Sequence, residues 1–441
     1  MPGYLKQLDS VLIKPAGPDC NLACRYCFYL DHARLFPEAA PHRMDEAVLA
    51  ATVRQVLGAG SPQVSFGWQG GEPTLMGLPF FERAVELEKQ HGRGGQTIGN
   101  GLQTNGLLID ESWCRFLREH QFLVGLSLDG PEPVHDRYRL ARSGQPTWGR
   151  VMDAAKRMLD GGVEVNALAV VTDRSAECPR EVYEFLRDTG LRYMQFIPCL
   201  EPEPRPAVGP SEFAAGPERL GRFLCTVFDA WRADFRDGRP TTSIRWFDSV
   251  FATYIGVQAM ECTLLPECGC YVVVEHNGDV FACDFFVEEE WKLGNVQAGT
   301  LADMLNSPQQ ARFGRRKAEL AAACQACPWL PHCRGGCPKE RTGQRSRFCD
   351  AYRMFFAHAD SFFRELAAEK SQKVDKSKGQ KVDEGHESDD IHGDGVSNVR
   401  GTERARALAR FAMLDARGRG AARNAPCPCG SGMKYKRCCG R

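Results

Sequence analysis

Three cysteines fall within eight residues near the start of the chain, in Cys20-Asn-Leu-Ala-Cys24-Arg-Tyr-Cys27. Thiols packed so closely read as metal ligands, and iron–sulfur clusters and zinc both ordinarily take four protein ligands. Only three are local here. The next cysteine, Cys114, lies far along the chain in an apparent helix. Three thiolates on a cubane of four irons leave one iron open for a substrate or cofactor. The competing reading of the same residues is a zinc site completed by His32 or His42, although zinc spacings usually come as pairs of C-x2-4-C.

A second field holds nine thiols, with Cys262, Cys268, Cys270 and Cys283 preceding Cys324-x2-Cys327-x5-Cys333-x3-Cys337 and Cys349. Nine is one more than two four-ligand sites require. Taken by itself, the C-x2-C pair in this field is good grounds for two zinc ribbons. A third group closes the chain, Cys427-Pro-Cys429 followed by Cys438-Cys439. Four thiolates in so short a segment suit one tetrahedral zinc, which supplies stability the segment lacks. Lys434, Lys436, Arg437 and Arg441 make it basic. Cys114, Cys178, Cys199 and Cys225 stand apart and read as ordinary buried thiols.

Composition bounds what these groups serve. A chain of 441 residues, 43% hydrophobic and 25% charged, matches soluble globular proteins of two or three domains. Its 56 basic and 56 acidic residues balance, so nothing favours capture of nucleic acid or an anionic membrane. Residues 1–10 show no basic stretch leading into an apolar run, and no stretch reaches the roughly 18 apolar residues of a membrane span. Twenty cysteines without an export signal argue for thiols kept reduced for metal in the cytoplasm, not for a disulfide framework.

The elements that must position these loops alternate. Strands are predicted over residues 10–13, 63–68, 97–103, 122–128, 163–171 and 193–197. Helices are predicted over 45–58, 79–90 and 110–120, from Thr147 to the Gly161-Gly162 stop, and from Pro179. Six strands alternating with helices demand parallel crossovers, and so an α/β partial (β/α)6 barrel with its active site at the C-terminal strand ends. Gly70-Gly71-Glu72-Pro73, Gln103-Thr104-Asn105-Gly106 and Ser127-Leu128-Asp129-Gly130 all fall at such ends. A connector over 201–210, a helix over 211–237, a loop-dominated cysteine region over 262–349 and an apolar helix over 350–367 follow. From 369 to 401 the composition collapses into Lys, Asp, Glu, Ser and Gly, which cannot bury enough apolar surface to fold. The expected divisions are 1–240 for the barrel, 241–368 for the cysteine-rich domain, 369–401 for a disordered linker, and 402–441 for a short helix and zinc module.

The first cysteine motif, with Tyr26 before its last thiol, resembles the C-x3-C-x2-C signature of the radical S-adenosylmethionine (SAM) superfamily. The resemblance implies that the open iron is chelated by the amino and carboxylate groups of SAM. One electron then cleaves the cofactor to a 5′-deoxyadenosyl radical. Gly70-Gly71-Glu72-Pro73 resembles the family's GGEP motif, whose backbone binds the amino group of the methionine moiety. Contacts to SAM from Tyr29, Asn105, Ser127 and Arg139 are implied as well, the last two toward the carboxylate and ribose.

The second field resembles the SPASM extension of radical SAM enzymes, which holds two auxiliary 4Fe–4S clusters. It implies that one takes Cys262, Cys268, Cys283 and Cys337, and the other Cys324, Cys327, Cys333 and Cys349, leaving Cys270 spare. Cys283-Asp284-Phe, Trp291-Lys-Leu-Gly-Asn295 and Gln69 before GGEP together resemble the anaerobic sulfatase-maturating enzymes, over about Val11 to Leu366. That likeness implies a substrate contact at Gln69 and a general base at Asp284, whose pKa a dry site is expected to raise. The tail from Arg423 to Cys439 resembles the SEC-C zinc motif at the end of the bacterial export ATPase.

The implied protein is a cytoplasmic radical SAM oxidoreductase that converts an active-site Cys or Ser of a sulfatase to Cα-formylglycine. It is expected to carry three 4Fe–4S clusters, SAM and Zn2+. Its expected partners are an unfolded or nascent sulfatase polypeptide, an electron donor such as a ferredoxin or flavodoxin, and export or ribosome-associated machinery at the tail; nucleic acid and a membrane span are not expected. Two alternatives use the same residues. One is another SPASM peptide modifier such as a thioether-forming maturase, although residues 1–19 leave little room for a leader-binding domain. The other is a zinc-binding protein without redox chemistry.

Overall fold

The computed structural model describes residues 5–36, 41–200 and 213–379. Short apolar runs between turns form the strands, as parallel strands covered by helices require. They are β1 (Ser10–Lys14), β2 (Gln63–Trp68), β3 (Thr97–Thr104), β4 (Leu123–Ser127), β5 (Glu164–Val171) and β6 (Tyr193–Pro198). Each pairs in parallel with the next. The helices Glu46–Gly58, Leu78–His91, Glu111–Glu119, Trp148–Asp160 and Pro179–Asp188 make the crossovers. Asp45 caps the first by accepting from the Val48 amide at 2.8 Å, and Asp110 caps the third in the same way. The six-strand partial barrel read from the sequence is the framework of the molecule.

The sheet nevertheless has ten strands, in the order β10-β9-β8-β1-β2-β3-β4-β5-β6-β7. A short β7 (Ser243–Ile244) extends one edge in parallel with β6. At the other edge β8 (Val272–Glu275) runs parallel to β1 and leads into the antiparallel β9 (Asp279–Phe281) and β10 (Lys292–Asn295). The region over 262–349 was expected to be a separate, loop-dominated unit, yet its first three strands continue the barrel sheet. The reason is burial. All four residues of β8 are buried, and without β8 the apolar β1 would be an open edge.

The helix expected over 211–237 is Pro217–Ala233, with Pro217 opening it as its fixed φ favours. The closing helix, Cys349–Gly379, is longer than the expected 350–367. Helix-favouring Ala, Glu, Lys and Gln carry it into the stretch read as a linker. The two helices pack through Phe228, whose ring lies 5.6 Å from Phe355, 5.6 Å from Phe362 and 5.4 Å from Phe363. The remainder of that linker and the cysteine module with Cys427, Cys429, Cys438 and Cys439 lie outside the described residues. Among the described residues no helix is long and apolar enough to cross a membrane.

Candidate active site

The chain leaves β1 at Lys14 and enters the three-cysteine loop, which is clamped from two sides. On the first side the amides of Gly71 and Glu72 donate to the carbonyls of Gly17 at 2.9 Å and Asp19 at 2.8 Å. A Cβ on Gly71 would lie 2.0 Å from the Asp19 oxygen, so only glycine fits. Glu72 is 1% exposed, and its carboxylate accepts from the Thr74 hydroxyl at 2.6 Å, the Thr104 hydroxyl at 2.7 Å and the Asn105 amide at 2.8 Å. Burial pushes its pKa up and those bonds pull it back. Expected among the cofactor residues, Glu72 is a brace between two strand-end turns, because protein donors occupy its oxygens. Asn105 in turn donates to Asn21 inside the loop at 2.7 Å.

On the second side the amides of Ala23 and Arg25 donate to the carbonyls of Leu140 at 2.9 Å and Tyr138 at 3.0 Å. Arg142 reaches the Cys20 carbonyl at 2.7 Å. Between them the buried Arg139 pairs with Asp129 at 3.0 Å, its guanidinium 5.4 Å from the centre of the Tyr26 ring. Tyr26 donates its hydroxyl to the same carboxylate. Burial alone would lower the Arg139 pKa, but Asp129, Tyr26 and Cys24 more than offset it. Arg139 was expected to reach SAM; its guanidinium stands between Cys24 and Asp129, and so holds the loop as well as facing the cavity.

Across the cavity, the β1–β8 register sets Glu275 opposite Lys14. The Lys14 ammonium lies 2.5 Å from Asp284 Oδ1, 3.8 Å from Glu275 Oε1 and 3.8 Å from the centre of the Tyr29 ring. Tyr29, expected to contact SAM, donates its hydroxyl to Glu275 at 2.6 Å. Asp284, expected to be the general base, is ion-paired to Lys14. Burial pushes the Glu275 carboxyl up, to about 7, against the pull of Lys14 and Tyr29. Its Oε2 has no hydrogen-bond partner among the described residues.

The structure gathers the cysteines into three groups. Cys20, Cys24 and Cys27 act on one another, and burial above all pushes Cys20 to about 12 and Cys24 to about 11. Cys262, Cys268 and Cys283 converge with Cys270 and with Cys337, where burial again raises the thiols. Cys324, Cys327, Cys333 and Cys349 form the other set. Among the described residues no three Cys, His, Asp or Glu converge closely enough to hold a single ion. His42 is bonded to Asp19 at 2.8 Å, while His32 sits edge-on to Phe28 and Tyr29. Thiols grouped near one another yet too far apart for a single ion suit a multi-iron cluster better than one zinc.

A cavity of about 1780 Å³ runs between the three-cysteine loop and the Cys262 group, and Tyr29, Gln69, the Gly70–Glu72 turn, Asn105, Ser127, Arg139 and Asp284 line it. Sequence reasoning named these but missed Lys14, Asn21, Asp129 and Glu275. Asp129 had a signal, a carboxylate closing a strand-end turn. Lys14 and Glu275 had a fainter one, a charge ending an otherwise apolar strand.

A parallel barrel with a three-thiol loop at its strand ends, continued into a cysteine-rich hairpin region, defines a radical SAM oxidoreductase using SAM and 4Fe–4S clusters. Residues 15–186 match the Radical SAM superfamily, 267–328 the SPASM iron-sulfur cluster-binding domain, and 423–441 the SEC-C motif. The serine-type anaerobic sulfatase-maturating enzyme of Bacteroides thetaiotaomicron is 39% identical over 370 residues, 79% of this chain and 88% of that one. The cysteine-type enzyme of Clostridium perfringens is 37% identical over 356 residues, 79% of this chain and 96% of that one. Native anSMEcpe with bound AdoMet aligns at a TM-score of 0.76 and 37% identity, over 81% of this chain and 99% of that structure. Streptococcus suis SuiB, 18% identical at a TM-score of 0.52, shares the fold alone. The chain belongs to the anaerobic sulfatase-maturating enzymes.

Proposed function

We propose that this enzyme oxidises an active-site Cys or Ser of a sulfatase polypeptide to Cα-formylglycine in the cytoplasm, with three 4Fe–4S clusters, SAM, and Zn2+ in its C-terminal module. The observation that carries the reading is the cavity of about 1780 Å³ joining the three-cysteine loop to Asp284 and the auxiliary thiols. Ordinary ligand pockets hold about 300–1,000 Å³, so this one has room for SAM and an extended peptide together. Relatives named for serine-type and cysteine-type maturation support the choice of substrate.

When bound, SAM and the first cluster would supply radical chemistry at the substrate Cβ, and the auxiliary clusters would supply a one-electron acceptor. The chain's own residues do the rest. Cys20, Cys24 and Cys27 hold the first cluster, fixed by the Gly71 and Arg139 clamps. Gly70, Gly71, Asn105, Ser127, Arg139 and Tyr29 line the same cavity and would hold SAM, the glycine turn toward its amino group. Gln69 contacts the peptide. Asp284, held by Lys14, accepts the thiol or hydroxyl proton. Loss of a hydrogen atom, a proton and an electron leaves an aldehyde from Ser, or from Cys a thioaldehyde that water converts with release of hydrogen sulfide. A ferredoxin or flavodoxin is the reductant, and the tail recruits export- or ribosome-bound chains.

Anaerobic incubation with SAM, reductant and peptides carrying Cys-x-Pro-x-Arg or Ser-x-Pro-x-Arg, read by mass spectrometry, tests this. Formylglycine is the expected product; SAM cleavage with every peptide mass unchanged sinks the reading. Asp284→Asn should still cleave SAM yet make formylglycine at least about tenfold more slowly, since hydrogen abstraction and deprotonation are separate steps.

A further inference from the structure

Lys317 is an ammonium with 0% exposure. Its Nζ donates to the carbonyls of Thr263 at 2.8 Å and Gly336 at 2.6 Å. Those carbonyls adjoin Cys262 and Cys337, two thiols of the first auxiliary group. Among the described residues no carboxylate comes within ion-pair distance of it. Glu340 acts on it from further away, and its own carboxylate is held by the hydroxyls of Tyr352 and Ser346, each at 3.1 Å. Burial pushes the Lys317 pKa down, and Cys268, Cys337 and Cys262 push it back up.

The half-buried Arg341 lies beside it. Its guanidinium donates only to carbonyls, those of Lys317 at 2.7 Å, Glu319 at 3.0 Å, and Gly335 and Arg316 at 3.2 Å. Cys268 and Cys337 of one group and Cys324 of the other all act on it. Carbonyls satisfy the hydrogens of a buried cation but do not cancel its charge, and an uncompensated buried charge is costly. An anion of matching size and place is a cubane with four thiolate ligands, net negative and more so once reduced. Cluster potentials follow local charge, hydrogen bonding and exposure, so a buried cation beside one favours its reduced form.

The three-cysteine loop is built oppositely. Its adjacent cation, Arg139, is neutralised by Asp129 at 3.0 Å. The first cluster must give an electron to SAM, whereas an auxiliary cluster must accept one from the oxidised substrate. We propose that Lys317 is the internal counter-ion of the cluster held by Cys262, Cys268, Cys283 and Cys337, and that it raises the reduction potential of that cluster to make it the electron acceptor. The electron's direction rests on the formylglycine reading; the counter-ion role does not.

The test uses the full chain, reconstituted anaerobically, with iron counting and a redox titration followed by electron paramagnetic resonance. Lys317→Gln keeps an amide donor for the carbonyls and removes the charge; Lys317→Arg keeps the charge. In Lys317→Gln the midpoint potential of one auxiliary cluster should fall while the other two stay put, and Lys317→Arg should return it toward wild type. If Lys317→Gln fails to retain that cluster and Lys317→Arg retains it, the charge is needed for assembly, which upholds the role. Full iron with an unshifted potential in Lys317→Gln overturns it and leaves Lys317 a strap between two loops, as does loss of the cluster in both variants. A shifted potential in an enzyme that makes no formylglycine would instead count against the catalytic reading alone.

Discussion

At Gly71 the distance from an added Cβ to the Asp19 oxygen, 2.0 Å, is far inside any van der Waals contact, and the obstacle is backbone. Gly71→Ala must therefore push the cysteine loop away from the glycine turn and break the two backbone hydrogen bonds that join them. The auxiliary groups are built from other segments and should be untouched. The variant is expected to bind about four irons fewer per chain, the content of one cubane, and to lose SAM cleavage. Iron counting after anaerobic reconstitution checks this; full iron with normal SAM cleavage would show that the loop has more freedom than its contacts allow. The same logic separates residues that touch a cofactor from residues that brace one. Glu72 has a carboxylate filled by three neighbours, whereas Ser127 lines the cavity with no such role.

The helix Arg245–Tyr254, beside the short edge strand β7, carries Asp248 with no cation beside it. Its partner among the described residues is the Ser243 hydroxyl. Burial pushes its pKa from 3.8 to about 7, against that one hydrogen bond. Because the folded value exceeds the unfolded one, stability is complete below about 3.8 and is lost as pH rises through about 7. The loss is at most about 4 kcal/mol at 1.36 kcal/mol per unit. Asp248→Asn should narrow the difference in melting temperature between pH 5 and pH 8, chiefly by raising the value at pH 8. An unchanged difference would place the pH response elsewhere. The elements also show where sequence reasoning runs out. Cysteine spacing and the strand–helix alternation are local signals, and both were legible. The meeting of Lys14 with Glu275 depends on a strand register between segments far apart in the sequence, for which neither segment carries a mark. Gly71 was read from the sequence as part of a cofactor-binding turn, and the close approach of Asp19 adds a structural reason for glycine there.

Across the whole molecule, the closing helix Cys349–Gly379 packs on Pro217–Ala233 and seals the barrel's flank, so a cut at 369 would remove helix. A chain ending at Gly379 should turn over short peptides within about twofold of the full enzyme, while cellular maturation of a full-length sulfatase should fall with the recruiting tail gone. Peptide activity lost in that truncation would make residues 380–441 part of the catalytic fold. The parallel seat of β8 against β1 has a consequence for the chain's synthesis. The first strand made is not an edge strand, yet its outer neighbour is translated only after more than half of the protein has emerged. At about 5–20 residues per second that interval lasts tens of seconds. Throughout it the apolar Val11-Leu12-Ile13 edge is exposed to any other nascent strand, and Lys14 waits for Glu275 and Asp284 to be made. Slow translation ahead of residue 272 would therefore lower the yield of folded enzyme more than slow translation after 296.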